Sequence, residues 1–381
     1  MTKNTMPRVL VIGGGAGGLA AAVAAAGAGA EVTILEKANR VGKKLLKTGN
    51  GRCNLSNRGV APEGYNHPDF VAPLLARTGC EELLSFFASL GLWTVSDAEG
   101  RVYPRSDTAA SVLDVLRLAA AERGAREVCS CEVTAIRPRK GGGYTVSTRE
   151  NGELGADRVI VATGGGTALL QPLGCALVPF SPALCPLRTE VGPIRALTGL
   201  RVKCRAMLWR EGREIYSERG EILFRDFGVS GILALDLSRY ARGGDVLILD
   251  LLPELSEEQA GALLRERQAL GRAPGEVLTG VFHRRVNEAI LRAAGSTDAA
   301  ALARAAKSYR LTVLGPGDAQ SAQVTRGGAA VEAFDPLTLQ SRRHPGLYCV
   351  GEALDIDAKC GGYNLHWAFA AGLAAGRSAA E

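Results

Sequence analysis

Within its first 36 residues this chain runs strand, glycine turn, helix, strand, and few patterns constrain a fold more. Residues 8–12, RVLVI, are an unbroken apolar run, the pattern of a strand buried on both faces. Gly13-Gly14-Gly15-Ala16-Gly17-Gly18 follows at once and satisfies G-x-G-x-x-G at Gly13, Gly15 and Gly18. Leu19 to Ala28 then reads as an alanine-rich helix, and Glu31 to Leu35 as a second strand ending at Glu36. Gly13 permits the tight turn, Gly15 lets backbone approach a pyrophosphate, and Gly18 lets helix and strand pack closely. The unpaired N–H groups where the helix opens, at Ala16 and Gly17, present the positive end of its dipole to phosphates. Glu36, with Lys37 beside it, can accept hydrogen bonds from an adenosine ribose, whereas a 2′-phosphate would be repelled. The unit is that of a dinucleotide-binding α/β domain.

The rest of the chain narrows the class. Its 381 residues fit two domains, one inserted in the other. It holds 48 glycines, where an average chain of this length would hold roughly 27. That surplus has no G-x-y period, which excludes collagen, and 46% hydrophobic residues exclude a disordered chain. No apolar stretch reaches the length of a spanning helix, and MTKNTMPR lacks signal-peptide architecture, so no membrane association is expected. The 45 basic residues, only nine of them lysine, are scattered among 39 acidic ones for a net charge of +6. A solvated surface is expected, not a nucleic-acid face. Nine cysteines occur without a C-x-x-C pair. Cys129-Ser130-Cys131 reads as part of a strand with both thiols on one face. Free thiols in a reducing cytoplasm are expected, with neither a disulfide framework nor a metal site.

The glycine fingerprint alone does not choose between FAD and NAD. The segment from Arg40 to Asn57 bears on the choice, since thirteen of its eighteen residues are polar, glycine or basic. Such a run is not expected to form a core element. It can wrap an extended dinucleotide, with Lys43, Lys44 and Arg52 offsetting pyrophosphate charge and Gly51, Cys53 and Asn54 close by. A mobile surface loop is the other reading.

The motif G-K-K-L-L-x-T-G-N-G-R-C-N-L-S-N, Gly42 to Asn57, following such a unit resembles the BaiN/YhiN-like flavoproteins, a NAD(P)/FAD-dependent or aminoacetone-oxidase family. The resemblance returns at Gly100–Pro104, Ser111–Asp114, Gly220–Phe224 and Phe227–Gly231. It is strongest from Pro345 to Leu365, through Gly351-Glu352, Asp355, Asp357 and Gly361-Gly362-Tyr363-Asn364-Leu365. It implies FAD held by a discontinuous, glutathione-reductase-like Rossmann domain, residues 1–187 and 324–381, with an α+β domain inserted at 188–323. The residues agree with that layout. RVIVAT, Arg158 to Thr163, is an apolar strand ending at Gly164-Gly165-Gly166, a turn that in this class brings Thr163 and Gly164 to the cofactor. Glu132–Pro138 and Tyr144–Arg149 alternate like strands joined by Gly141–Gly143, a small antiparallel layer, and Val133 matches a backbone contact to adenine. Between 188 and 323, short strands at Val202–Leu208, Glu221–Phe224 and Val246–Leu251 precede helices at Ser256–Leu270, Asn287–Ala294 and Ala299–Tyr309. This domain is expected to be a β-layer with helices, walling a substrate cleft.

Near the C-terminus, Gly346–Val350 reads as a strand leading to Gly351 and Glu352, placed at the ribityl–pyrophosphate part of FAD. Gly361-Gly362 then opens a helix from Tyr363 to Ala375. Backbone N–H groups at Tyr363, Asn364 and Leu365, above Gly362, can stabilise negative charge on a reduced isoalloxazine. Candidates for an acid or base are His366, Tyr363 and Cys53, of which His366 is the first choice. His67, His283 and His344 show no partnering pattern. No second glycine fingerprint offers a resident NAD(P)H domain, so NAD(P)H is expected only as a transient donor, and no histidine or cysteine attachment sequence points to covalent flavin. One segment departs from the family, the short apolar run from Thr167 to Val178. The expectation is a cytoplasmic FAD-dependent oxidoreductase acting on a small molecule. A flavin-containing sensor or RNA-associated protein with little turnover, and an NAD enzyme without flavin, are the alternatives.

Overall fold

The computed structural model describes residues 6–318 and 320–381. Most of the MTKNTMPR segment therefore lies outside the described residues. The chain divides into two compact units, Met1–Ser181 with Val324–Glu381, and Pro182–Gln323.

In the first unit the opening strand β1, Arg8–Ile12, is central. Val9 to Ile12 are all buried, as a strand covered on both faces must be. Helix α1, Ala16–Gly27, crosses over to β2, Glu31–Glu36, which pairs parallel to β1. Arg126–Cys129 lies beyond β2, while Arg158–Val161 and then Leu347–Cys349 lie on the other side of β1; every neighbouring pair is parallel. The segments Val133–Pro138, Tyr144–Thr148 and Gly152–Ala156 form the antiparallel layer, and Gly141, Gly142 and Gly143 all take positive φ in its first turn. The closing helix, Tyr363–Ala380, packs on α1 through small residues. A Cβ added at Gly372 would lie 2.3 Å from the Gly17 carbonyl oxygen, and one at Gly376 would lie 2.3 Å from that of Ala21. Only glycine permits backbones this close.

Two local readings are corrected. The strand expected to carry both Cys129 and Cys131 ends at Cys129, because Ser130 turns to φ 52° and Cys131 N–H bonds to the Glu36 carbonyl. Cys131 is buried while Cys129 is half-buried, so the two do not share a strand face. The Arg40–Asn57 run is neither loose nor wholly exposed. Leu45–Gly51 coils into 3-10 turns, and Ser56–Asn57 pairs antiparallel with Arg101–Pro104. Val41, Leu45, Cys53, Leu55, Ser56 and Asn57 are buried. Of its polar side chains, Asn57 is inside because it bonds to the Gly361 carbonyl, and Ser56 because its hydroxyl meets His366 Nδ1.

In the second unit the expected β-layer closes on itself. The described strands run Leu187–Thr189, Gly228–Ser230, Arg213–Arg225, Arg201–Arg210, Val246–Asp250 and Tyr309–Pro316 around a barrel. Leu187–Thr189 completes it by pairing with both Gly228–Ser230 and Tyr309–Pro316. A boundary after residue 187 would cut this strand; the observed crossing lies at Ser181/Pro182. Alternation along the last strand, with Tyr309, Leu311 and Val313 buried and Arg310, Thr312 and Leu314 exposed, turns one face to a core separate from that of the first unit. Helix Glu257–Ala269 opens with a capping box between Ser256 and Gln259. No helix among the described residues is long and apolar enough to cross a membrane.

Candidate functional site

Parallel register brings three turns to one edge of the sheet. Ile12 is level with Val161, and Val161 with Cys349. The segments that follow, Gly13–Gly18, Ala162–Gly166 and Val350–Glu352, therefore leave the carboxyl edge side by side, where open α/β sheets bind ligands. Gly13, at φ 104°, would carry a Cβ 2.5 Å from the Ala162 carbonyl oxygen, so the first two turns touch backbone to backbone. Gly15 and Gly164, by contrast, face open space: a Cβ at either meets no atom within 4 Å. Gly351 also takes positive φ, 63°.

The first intrahelical bond of α1 runs from Leu19 N–H to the Gly15 carbonyl, 2.9 Å, which leaves the Ala16, Gly17 and Gly18 N–H groups without an intrahelical acceptor. Gly17 and Gly18 themselves are buried in packing. Their Cβ positions would meet the Ala368 and Gly13 carbonyl oxygens at 3.0 and 1.9 Å. Glu36 fixes the far side of the turn, its Oε2 accepting from Gly14 N–H and its Oε1 from Ala38 N–H, both 2.8 Å. Each oxygen keeps a lone pair for a ribose hydroxyl. Cys131 N–H donates to the Glu36 carbonyl (2.9 Å), which holds Val133, two residues on, at the same end. Lys37 is exposed there.

The Arg40–Asn57 run builds the opposite end. Asn54, with Oδ1 accepting from Gly362 N–H (3.1 Å) and Nδ2 donating to the Ser56 carbonyl (2.9 Å), holds the turn before the closing helix. Asn57 Nδ2 donates to the Gly361 carbonyl (2.9 Å), and Tyr363 donates from its hydroxyl to the Gly59 carbonyl (2.6 Å). Gly362, at φ 102°, has its Cβ position 2.2 Å from the Ser56 carbonyl oxygen. The helix begins with His366 N–H bonding to the Gly362 carbonyl (3.0 Å), so the Tyr363, Asn364 and Leu365 N–H groups precede its first bond. The Asn364 side chain is spent on both backbone groups of Ala358. Sequence reasoning treated this run as a cofactor wrap and missed its second task, which is to hold the helix start.

Several side chains expected at the ligand are engaged elsewhere. Lys44 Nζ lies 2.6 Å from Glu352 Oε2, so its charge is matched by a neighbouring candidate residue; Lys43 is exposed. Arg52 pairs with Asp107 (2.5 Å) and lies over the Tyr103 ring, held by these partners. Gly51 takes φ 85° in the same turn. Cys53 is sealed in the core, and burial pushes its thiol up to about 12. Thr163 turns its hydroxyl to the Gly166 carbonyl (2.6 Å).

His366, the first choice for an acid or base, is corrected to a structural residue. It is fully buried, with Nδ1 2.9 Å from Ser56 Oγ and Nε2 3.0 Å from the Thr78 carbonyl. A carbonyl only accepts, so Nε2 carries the proton and Nδ1 accepts from the Ser56 hydroxyl. Burial pulls its pKa down to about 4, and it stays neutral. The histidines thought unpartnered all have partners. His283 caps helix Arg284–Ala294 by accepting from Arg285 N–H, and His344 Nε2 lies 2.7 Å from the Leu173 carbonyl. His67 Nε2 lies 3.1 Å from Asp355 Oδ2, across 288 positions of sequence. That separation hid the pair, although Asp355 already stood out in the C-terminal motif.

The model of the HI0933-like protein Rossmann domain matches residues 7–378. The chain belongs to the HI0933-like family. It is 37% identical, over 99% of its length and 100% of the relative's, to the 3-dehydro-bile acid delta(4,6)-reductase of Clostridium scindens. It is 25% identical to the ribosomal RNA dihydrouridine synthase of Escherichia coli, over 96% of both chains. Among solved structures it resembles E. coli quinol fumarate reductase FrdA in fold, with a TM-score of 0.53 and 18% identity over 99% of this chain and 70% of that one. The resemblance read from the Gly42–Asn57 and Pro345–Leu365 motifs is thus borne out. This HI0933-like chain is an oxidoreductase of a flavoprotein family.

Proposed function

We propose that this protein holds FAD noncovalently along the carboxyl edge of its parallel sheet and uses it to reduce a carbon–carbon double bond conjugated to a carbonyl in a small molecule. The observation that carries the reading is the set of three turns at one edge, with Gly15 and Gly164 open to a ligand and unbonded helix N–H groups beside them. An extended dianionic pyrophosphate fits there, with the ribose at Glu36, adenine at the Val133 backbone, and the ring system toward Gly362–Leu365. When bound, the flavin supplies two-electron hydride chemistry. The chain's own part is to bind and orient it, to offer the Tyr363–Leu365 N–H groups to negative charge, and to deliver a proton.

The substrate class rests on the chemistry in the relatives' names. A delta(4,6)-reductase of a 3-dehydro bile acid and a dihydrouridine synthase both saturate a carbon–carbon bond next to a carbonyl. A nicotinamide is the proposed transient hydride donor, and the nine free thiols fit a reducing cytoplasm. The purified protein should be yellow and release its flavin on denaturation. NADH or NADPH should bleach it anaerobically, and an enone such as cyclohexenone or progesterone should restore the colour. Colourless protein that binds no added FAD would overturn the reading. A second reading, in which the double bond belongs to a uridine in RNA, is favoured by the E. coli relative; reoxidation by an RNA and by neither enone would select it.

A further inference from the structure

We propose that His67, held by Asp355, is the proton donor to the substrate; this rests on the double-bond reduction proposed above. The pair is built from both parts of the first unit. Asn66 N–H donates to the Asp357 carbonyl (3.0 Å), Asp357 N–H to Asn66 Oδ1 (2.9 Å), and Asn66 Nδ2 to the Asp355 carbonyl (3.0 Å). Tyr65 forms a bridge with Ala358 and donates from its hydroxyl to the Tyr363 carbonyl (2.9 Å). Residues 65–67 are thereby stitched to the segment joining the Glu352 turn to the start of the closing helix, both of which are proposed contacts of the cofactor.

Asp355 itself cannot turn away. Its Oδ1 accepts from Gly327 N–H (3.1 Å), its N–H donates to the Ala329 carbonyl (2.9 Å), and its side chain is only 10% exposed. Its Oδ2 takes the Nε2 proton of His67, so the other ring nitrogen, Nδ1, is the one left to act, and it has no hydrogen-bond partner among the described residues. The His67 side chain is 33% exposed, open to a ligand and to water for reprotonation. The charges around it are mainly acidic: Asp355, then Glu332 and Asp357, with Arg326 3.9 Å from Asp357. The hydrogen bond to Asp355 is the main cause that raises the His67 pKa above its ordinary 6.5. The three acid–base candidates read from the sequence do not offer a proton. His366 is sealed and neutral, the Cys53 thiol is buried, and the Tyr363 hydroxyl is spent on Gly59.

The step balances. A flavin bound there, reduced by a nicotinamide, would supply the hydride that forms a C–H bond at the carbon remote from the carbonyl. The π electrons shift to the carbon beside the carbonyl, and that carbon takes the proton from His67 Nδ1. The substrate is reduced by two electrons, the flavin is oxidised, and water returns the proton to His67. Asp355 is a positioning residue, favouring the charged imidazole and aiming it.

Two measurements on the flavin-loaded full chain test this. Side-chain NMR titration should place the His67 pKa above 6.5, and Asp355→Asn should lower it by about one unit or more. In the second, dithionite-reduced protein is mixed anaerobically with cyclohexenone or progesterone. His67→Gln should slow reoxidation about 100-fold or more while flavin content is unchanged, and should flatten the fall in rate at alkaline pH. If His67→Gln loses flavin, Asp355→Asn makes the same comparison, with its alkaline fall moved to lower pH. The proposal is overturned if His67 titrates at or below its ordinary value without responding to Asp355→Asn. Equal reoxidation rates with one pH profile in wild type and variant also overturn it. A wild type inert to both enones and to RNA instead overturns the double-bond reading, and this proposal with it, an outcome distinct from an active wild type matched by its variant.

Discussion

At the scale of single residues, the glycines of one motif have opposite tasks. A Cβ at Gly15 meets nothing, whereas one at Gly18 would sit 1.9 Å from the Gly13 carbonyl oxygen. Gly15→Val is therefore expected to leave the apo protein's urea midpoint nearly unchanged and to abolish flavin retention, because the branched side chain fills the ligand's space. Gly18→Ala should destabilise the fold by about 3 kcal/mol or more, since backbone must move to admit it. Unchanged flavin content in Gly15→Val would reject this placement of the pyrophosphate. His366 makes a prediction in pH. Its folded pKa is depressed from 6.5 to about 4, so the unfolded chain binds the proton more tightly. Its contribution is complete above pH 6.5, is lost as pH falls toward 4, and amounts to about 3 kcal/mol. Urea midpoints across that window should fall in the wild type and fall less in His366→Gln.

Two helices of the first unit meet backbone to backbone. The α1 and Tyr363–Ala380 helices lie so close at Gly372 and Gly376 that neither position admits a Cβ without displacement. Gly376→Val should cost at least about 2–3 kcal/mol in equilibrium unfolding, from overpacking against the Ala21 carbonyl. It should also weaken flavin binding, because the same helix begins at the site. A variant with wild-type stability and flavin affinity would show that the helices can part freely. The Arg40–Asn57 run tells the complementary story, since polar composition alone read it as a wrap. Asn57 and Asn54 instead satisfy Gly361 and Gly362, groups more than 300 residues away.

For the whole molecule, the two cores are separate, and only the first unit carries the proposed cofactor residues. A ligand stabilises the unit that binds it by mass action. Added FAD should therefore raise the unfolding temperature of the unit containing Met1–Ser181 and Val324–Glu381. Pro182–Gln323, expressed alone, should unfold cooperatively at a temperature indifferent to FAD. Calorimetry of both proteins checks this, and a FAD-dependent shift in the isolated barrel unit would contradict it.

What the amino-acid order determined by itself was local: the strand–glycine–helix–strand unit, the acidic end of β2, the glycine turn before the closing helix, and the motifs that carry family membership. Each depends on backbone geometry among near neighbours, which a single residue type such as glycine reports directly. Barrel closure, the burial of Cys53 and His366, and the meeting of His67 with Asp355 were decided by tertiary structure. Strand pairing and side-chain burial depend on residues far apart in sequence, and no local spacing records which of them meet. The same separation explains why the proposed binding edge could be read from the sequence while the proposed acid–base pair could not. A turn of backbone is written in consecutive glycines, whereas a histidine–carboxylate pair such as His67 with Asp355 is made only by the fold that sets the two side by side.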